Sequence, residues 1–153
     1  MALLLVVSVM AIVLPNITVM EKELRRSEAR VGLDAIYLAA QKWKAVHNTY
    51  AISGIEDLGL TLPGKRYSFW YAINGIPIAI PGSSRKKTAC DVTTPPTSAK
   101  AAVSADRFVA VAKGNIDIDG TCDEWTINEA GRMNNTLDDI RKGWARWWPW
   151  MHE

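Results

Sequence analysis

Residues 1–26 read MALLLVVSVMAIVLPNITVMEKELRR. A nearly unbroken apolar run, Met1–Leu14, meets Pro15 and then a dense charged stretch. As a helix rising 1.5 Å per residue, Met1–Leu14 covers about 21 Å, against roughly 30 Å of bilayer hydrocarbon. As a signal-peptide core it lacks a preceding Lys or Arg and a clear small-residue cleavage site. As a buried helix of a soluble protein it is apolar all round, because Leu3, Leu4, Leu5, Val6 and Val7 point in every direction. A third reading is an apolar helix that packs among copies of itself and needs a membrane only before assembly. Pro15 has no N–H to donate and clashes with the carbonyl of Ala11, so a kink or local melting is expected there.

Beyond Pro15, residues 17–50 read as one long helix. Leu24, Val31, Ala35 and Leu38 fall at steps of seven, four and three and share one face, flanked by Ile36, Ala39, Trp43 and Val46. Charges of both signs, Glu21 to Arg30, occupy the remaining surface. Glu21 and Arg25 form an acid-then-base pair at i,i+4, which suits an exposed helix, while Lys22 and Arg26 at the same spacing oppose it and Gly32 weakens it. The expected divisions are an apolar helix over 1–20, an amphipathic helix over 21–50, a β-domain with its loops over 51–140 and a tail over 141–153.

Residues 48–65 form a connector rich in turn residues, with one short helical turn near Ile55–Leu58. RYSFWYAI (66–73) and GIPIAI (75–80) flank Asn74-Gly75, the strongest two-residue hairpin signal, and Pro77 assigns the second run to a sheet edge. Residues 81–106, with Pro95-Pro96, read as a surface loop. RFVAVAK (107–113) and DEWTINEAG (123–131) read as two more strands. One long helix followed by about four antiparallel strands is an α+β architecture.

The chain has 153 residues and a net charge of +2, which gives electrostatics no reason to nominate nucleic acid. Its two cysteines, Cys90 and Cys122, form no CxxC and have no zinc-spaced histidine. They read as one disulfide of an exported domain, against two buried thiols of a cytoplasmic protein. A phosphate-binding loop, HExxH and GxSxG are all absent from the sequence, and no base sits beside a nucleophile. No enzyme activity, catalytic residue or cofactor is expected. His47 lies near the end of the long helix, where a cation suits the dipole. Asn115, Asp117 and Asp119 precede Gly120 as in the first half of a calcium-binding loop, but the closing glutamate position falls on Thr126. They are weak calcium candidates; an Asx-stabilised turn is the competing reading.

The order of these parts resembles the type IV pilins, and most closely the type IVa pilins of delta-proteobacteria. The similarity lies in VVSVMAIVLPNI (6–17), in the onward helix RRSEARVGLDAIYLAAQKWKAVHNTY (25–50), in FVAVAKGNIDIDGTCDEWTIN (108–128) and in the ending NNTLDDI (134–140). It implies a pilin fold and a filament subunit that enters the inner membrane, is cut by a prepilin peptidase and is driven by the pilus assembly machinery into an extracellular helical homopolymer on the bacterial surface. Motility, adhesion or DNA uptake would follow. Leu3, Leu4, Leu5, Val6, Val7, Val9, Met10, Ile12, Val13 and Leu14 would then form the fibre core, with Pro15 as the helix break. The family's processed N-terminus carries Phe-Thr-Leu-x-Glu, whereas position 5 here is Leu5. Matching Pro15 to the family's proline leads to the expectation that this stretch precedes Met1, which would bring the apolar run to roughly 20 residues, enough to span a bilayer. A type II secretion pseudopilin and a membrane-anchored periplasmic binding module are the alternatives; calcium at Asp117 and Asp119 would favour the pseudopilin. The tail has Trp144, Trp147 and Trp148 spaced for one helical face, with Arg141, Lys142 and Arg146 around them. Docking on its own sheet or a neighbour, an adhesive or membrane-interface patch, and an untethered tail remain open readings for it.

Overall fold

A computed structural model describes residues 2–83, 89–117 and 120–139, with the side chains of the first helix described from Met20 onward. That helix, α1, runs from Ala2 to His47 as one element of 46 residues. It is helical straight across Pro15, whose missing N–H removes one bond of the ladder without ending the helix. It ends where Asn48 turns left-handed, at φ 57°. There the Asn48 N–H still reaches the Lys44 carbonyl, a left-handed helix stop that asparagine tolerates.

The connector contains a 3₁₀ turn, Ile55–Leu58, closed by Gly59 at φ 58°. Six antiparallel strands follow: β1 (Tyr67–Ile73), β2 (Ile76–Ala79), β3 (Ala102–Val103), β4 (Phe108–Gly114), β5 (Asp123–Asn128) and β6 (Met133–Leu137). The sheet order is β2-β1-β4-β5-β6, with β3 paired to β4. Asn74 and Gly75 turn the β1–β2 hairpin at φ 51° and 79°, the pair of positive values that a two-residue turn requires. Pro77 sits on the edge strand β2, where its lack of an N–H costs no ladder bond.

Strands β3 and β6 come in addition to the four that the sequence pattern predicts. β6 is MNNTL, with too little hydrophobic alternation to signal a strand, and it forms because β5 offers it a partner. β3 lies inside the stretch expected to be surface loop. Most of the described residues of that stretch are exposed, as expected, but Cys90, Val92 and Ala101 are buried. Trp70, Ala72, Val111 and Ala101 form a second, smaller core on the sheet face turned away from α1. So β4 is buried on both faces: Phe108, Ala110 and Ala112 join the main core under α1, and Val111 joins the smaller one. A loop that covers a sheet face gives that face somewhere to bury its apolar residues.

The apolar face read from the spacing of α1 is not the face that meets the sheet. Ala29, Leu33, Ile36 and Ala40 are fully buried in the main core. Met20, Leu24, Val31, Leu38 and Val46 are 66–73% exposed. At 100° per residue these five fall within about 80° of one another, on the opposite side of the helix from the buried set. Size separates the two faces. A Cβ added at Gly32 would lie 2.2 Å from the Phe69 ring, so the sheet side accepts only small residues where the backbones approach.

Candidate assembly face

The domain grips α1 through charged residues that belong to the helix's polar sequence. Among the described side chains, the first α1 residue to contact the domain is Lys22, whose Nζ lies 2.8 Å from Asp117 Oδ2. One turn on, Arg25 donates to the Ile116 carbonyl at 2.6 Å and pairs with Glu21. Both contacts hold the β4–β5 connection against the helix.

Arg26 is the centre of the grip. It is buried, and its guanidinium meets Asp123 Oδ1 at 3.0 Å, Glu23 Oε1 at 3.2 Å and Asp138. Burial alone would lower its pKa. The hydrogen bond with Asp138 and the charges of Asp123, Asp138 and Glu23 outweigh that and raise it, so the group stays a cation. Asp123 is fully buried and is surrounded by donors. Its Oδ1 also accepts from Asn135 Nδ2 at 2.9 Å and from the Asp139 N–H at 3.4 Å, and its Oδ2 accepts from the Tyr67 hydroxyl at 2.6 Å and from Trp125 Nε1. A buried carboxylate is tolerable only with this degree of pairing. Burial, then the Asp123 charge and hydrogen bond, push the Tyr67 hydroxyl far above the ordinary tyrosine range. The Trp125 ring lies 5.2 Å under the Arg30 guanidinium, adding a cation–π contact.

Two further carboxylates staple other segments. Glu28 on α1 accepts from three successive backbone N–H groups, those of Lys65, Arg66 and Tyr67, at 2.8, 2.9 and 3.0 Å. This fixes the start of β1 on the helix. Glu124, buried on the far face of β5, accepts from the Thr97 and Ser98 N–H groups at 3.4 and 3.1 Å and from the Ser98 hydroxyl. So adjacent residues of β5 bury one acid toward α1 and one toward the covering loop. The disulfide Cys90–Cys122, 32 residues apart, ties the same loop to the turn before β5. In the chain-entropy model a loop of this size is worth about 3–4 kcal/mol.

The expected calcium ligands are placed only in part. The Asn115 Oδ1 accepts the Asp117 N–H at 3.1 Å, an Asx turn, and the Asp117 carboxylate is the partner of Lys22. Asp119 lies outside the described residues, and among those described no group of three or more His, Cys, Asp or Glu side chains could hold a metal. The expected core residues Leu3–Leu14 lie on the helical part of α1 whose side chains are outside the described set, as is the whole tail 141–153. His47 stacks on Trp43 with ring centroids 3.5 Å apart at the helix end.

The molecule therefore presents three things: a 46-residue helix with an apolar N-terminal sequence, a sheet clamped to the helix's second half, and an exposed apolar stripe on that half. The clamp exposes no convergent set of acid, base and nucleophile: Asp123 and Arg26 are sealed by each other and by their neighbours. Sequence reasoning found the apolar line of Leu24, Val31 and Leu38 but not its exposure, and it missed the buried Arg26–Asp123 pair. For Arg26 the only available signal was its place among like and unlike charges, which looks the same on a solvated face. Among the described residues, no helix is long and apolar enough to cross a membrane. Comparison with protein-family models, with curated proteins and with solved structures found no match.

Proposed function

We propose that this protein is a type IV pilin of the type IVa kind, the structural subunit of an extracellular filament, and that its sheet-on-helix domain is a pilin fold. The observation that carries the reading is the division of α1. One uninterrupted helix bears an apolar sequence in its first part, and among the described side chains the polar grip of the domain begins at Lys22. A helix with apolar residues all round is stable in only two settings, lipid or a bundle of like helices. Type IV pilins use both in turn, and Leu3–Leu14 would supply the fibre core. Pro15 would let that part of the helix kink or melt on assembly, since the ladder already lacks a bond there. The disulfide fits a domain that works outside the cytoplasm.

On this reading the subunit sits in the inner membrane, is processed by a prepilin peptidase and joins a helical homopolymer on the cell surface, serving motility, adhesion or DNA uptake. Negative-stain microscopy of the natively expressed protein tests it. Long, uniform fibres that vanish on deletion of the gene are expected. Short stubs confined to the periplasm would replace it with the pseudopilin reading. A protein that stays monomeric under all conditions would point to an anchored binding module.

A further inference from the structure

Asn74 is the one asparagine of the chain followed by glycine. Both residues are exposed at the tip of the β1–β2 hairpin. The Asn74 side chain holds no hydrogen bond or ion pair among the described residues, and the Gly75 N–H donates to no backbone carbonyl among them. A Cβ added at Gly75 would meet nothing within 4 Å, so the Gly75 nitrogen lies open to solvent and to the neighbouring carboxamide. The other asparagines lack this combination. Asn115 and Asn128 spend Oδ1 on backbone N–H groups of their own turns, and Asn135 donates to Asp123. Asn16, Asn48 and Asn134 are followed by Ile17, Thr49 and Asn135, whose β-carbons crowd the following nitrogen.

The tip is also weakly held. Bonded and non-bonded pairs alternate along an antiparallel ladder. Pro77 faces Ala72 and has no N–H, so that pair is non-bonded and the turn is closed by Ile73 and Ile76 alone. Ile76 is 61% exposed on an edge strand of four residues, so parting this pair uncovers little apolar surface. Such an end opens locally at far lower free energy than the sheet unfolds.

We propose that Asn74 is a site of spontaneous covalent modification, deamidating through a cyclic imide to an isoaspartyl link when the hairpin tip opens. The Gly75 nitrogen gives its proton to solvent and attacks Cγ of Asn74. The Cγ–Nδ2 bond breaks, and Nδ2 leaves as ammonia, taking a proton from solvent. Water then splits one of the two C–N bonds of the five-membered imide. Splitting at Cγ leaves an ordinary aspartyl peptide. Splitting at the main-chain carbonyl carbon routes the backbone through Cγ. The net reaction consumes one water and releases one ammonia, and no electrons change hands. Either product carries a carboxylate, which lowers the net charge of +2 by one. The isoaspartyl product also lengthens the main chain by a methylene, so the two-residue turn no longer fits between Ile73 and Ile76. The inference is independent of the filament reading, since it concerns a single turn of the single chain.

Ageing of the full-length folded protein at mildly alkaline pH tests it, with peptide mapping by mass spectrometry. The Asn74 amide should be lost roughly tenfold faster than those of Asn48 and Asn134, whose following residues carry a β-carbon. An isoaspartate-specific carboxyl methyltransferase supplied with S-adenosylmethionine should label the aged protein on the peptide that holds position 74. Asn74→Gly, which keeps a residue free to adopt positive φ but has no carboxamide, should abolish both signals there. Loss at Asn74 no faster than at Asn48 and Asn134, or methyl labelling of the aged protein undiminished by Asn74→Gly, would overturn the proposal. Fibre formation, read separately by microscopy, reports on the proposed function whichever way this result falls.

Discussion

The two faces of α1 beyond Met20 are both apolar, yet only one carries the domain. The face in contact with the sheet has Ala29, Gly32, Leu33, Ile36 and Ala40, together with the charged Arg26. The opposite face has Met20, Leu24, Val31, Leu38 and Val46, larger on average and exposed. Hydrophobicity alone favours the second face for burial. Close approach decides for the first, because small residues let the helix backbone come down onto Phe69, and the buried arginine finds two carboxylates of the domain, Asp123 and Asp138, waiting. Packing at near-crystalline density makes fit to the partner count for more than the apolar area of one side taken alone.

That contrast can be broken most forcefully at Arg26. Arg26→Met should cost about 3–5 kcal/mol in urea unfolding of the full chain, because Asp123 is left charged and buried. The double variant with Asp123→Asn should recover part of the loss; a fully additive cost would mean the two do not act as a pair. The apolar comparison comes next. Leu33→Ala should lose about 2–5 kcal/mol, while Leu38→Ala on the other face should change stability by less than about 0.5 kcal/mol. Equal losses would mean that the exposed face is also packed within the chain.

Gly32→Ala sharpens the argument from size. Helix propensity alone predicts a gain of about 1 kcal/mol, whereas the clash with the Phe69 ring should turn it into a loss of about 1–3 kcal/mol. Phe69→Leu in the same chain should reduce that loss. The smallest effect is a dependence on pH. Tyr67 is held protonated in the fold, with its pKa raised chiefly by burial and by Asp123. Above the unfolded tyrosine pKa of about 10 the unfolded chain loses this proton and the native one keeps it, so stability should fall by up to about 1.4 kcal/mol per pH unit. Below pH 10 the contribution is intact. Tyr67→Phe should remove this share of the alkaline slope in a comparison of melting curves between pH 9 and 11; an unchanged slope would place the ionising group elsewhere.

Local signals were legible where one chemistry dominates a short stretch. Asn74-Gly75 announced its hairpin, Pro77 its edge strand, the residues around Ile55–Leu58 their short turn, and two lone cysteines their disulfide. β3 and β6 were not legible, since each depends on a neighbour's unpaired edge rather than on its own residues. Glu124 was equally silent: a glutamate in a strand reads as solvent-facing until a distant loop supplies its donors.

The sequence by itself determined the long helix with its apolar start, the antiparallel strands β1, β2, β4 and β5, and the cysteine pair. Those features follow from backbone preferences and side-chain periodicity, which act within a few residues. Only the tertiary structure decided which face of α1 meets the sheet, that Arg26 and Asp123 are buried together across 97 residues of chain, and that the 89–103 segment covers the sheet's far face. The physical reason is the same for all three: each depends on how closely two surfaces distant in sequence can approach, and no local window of sequence contains both surfaces.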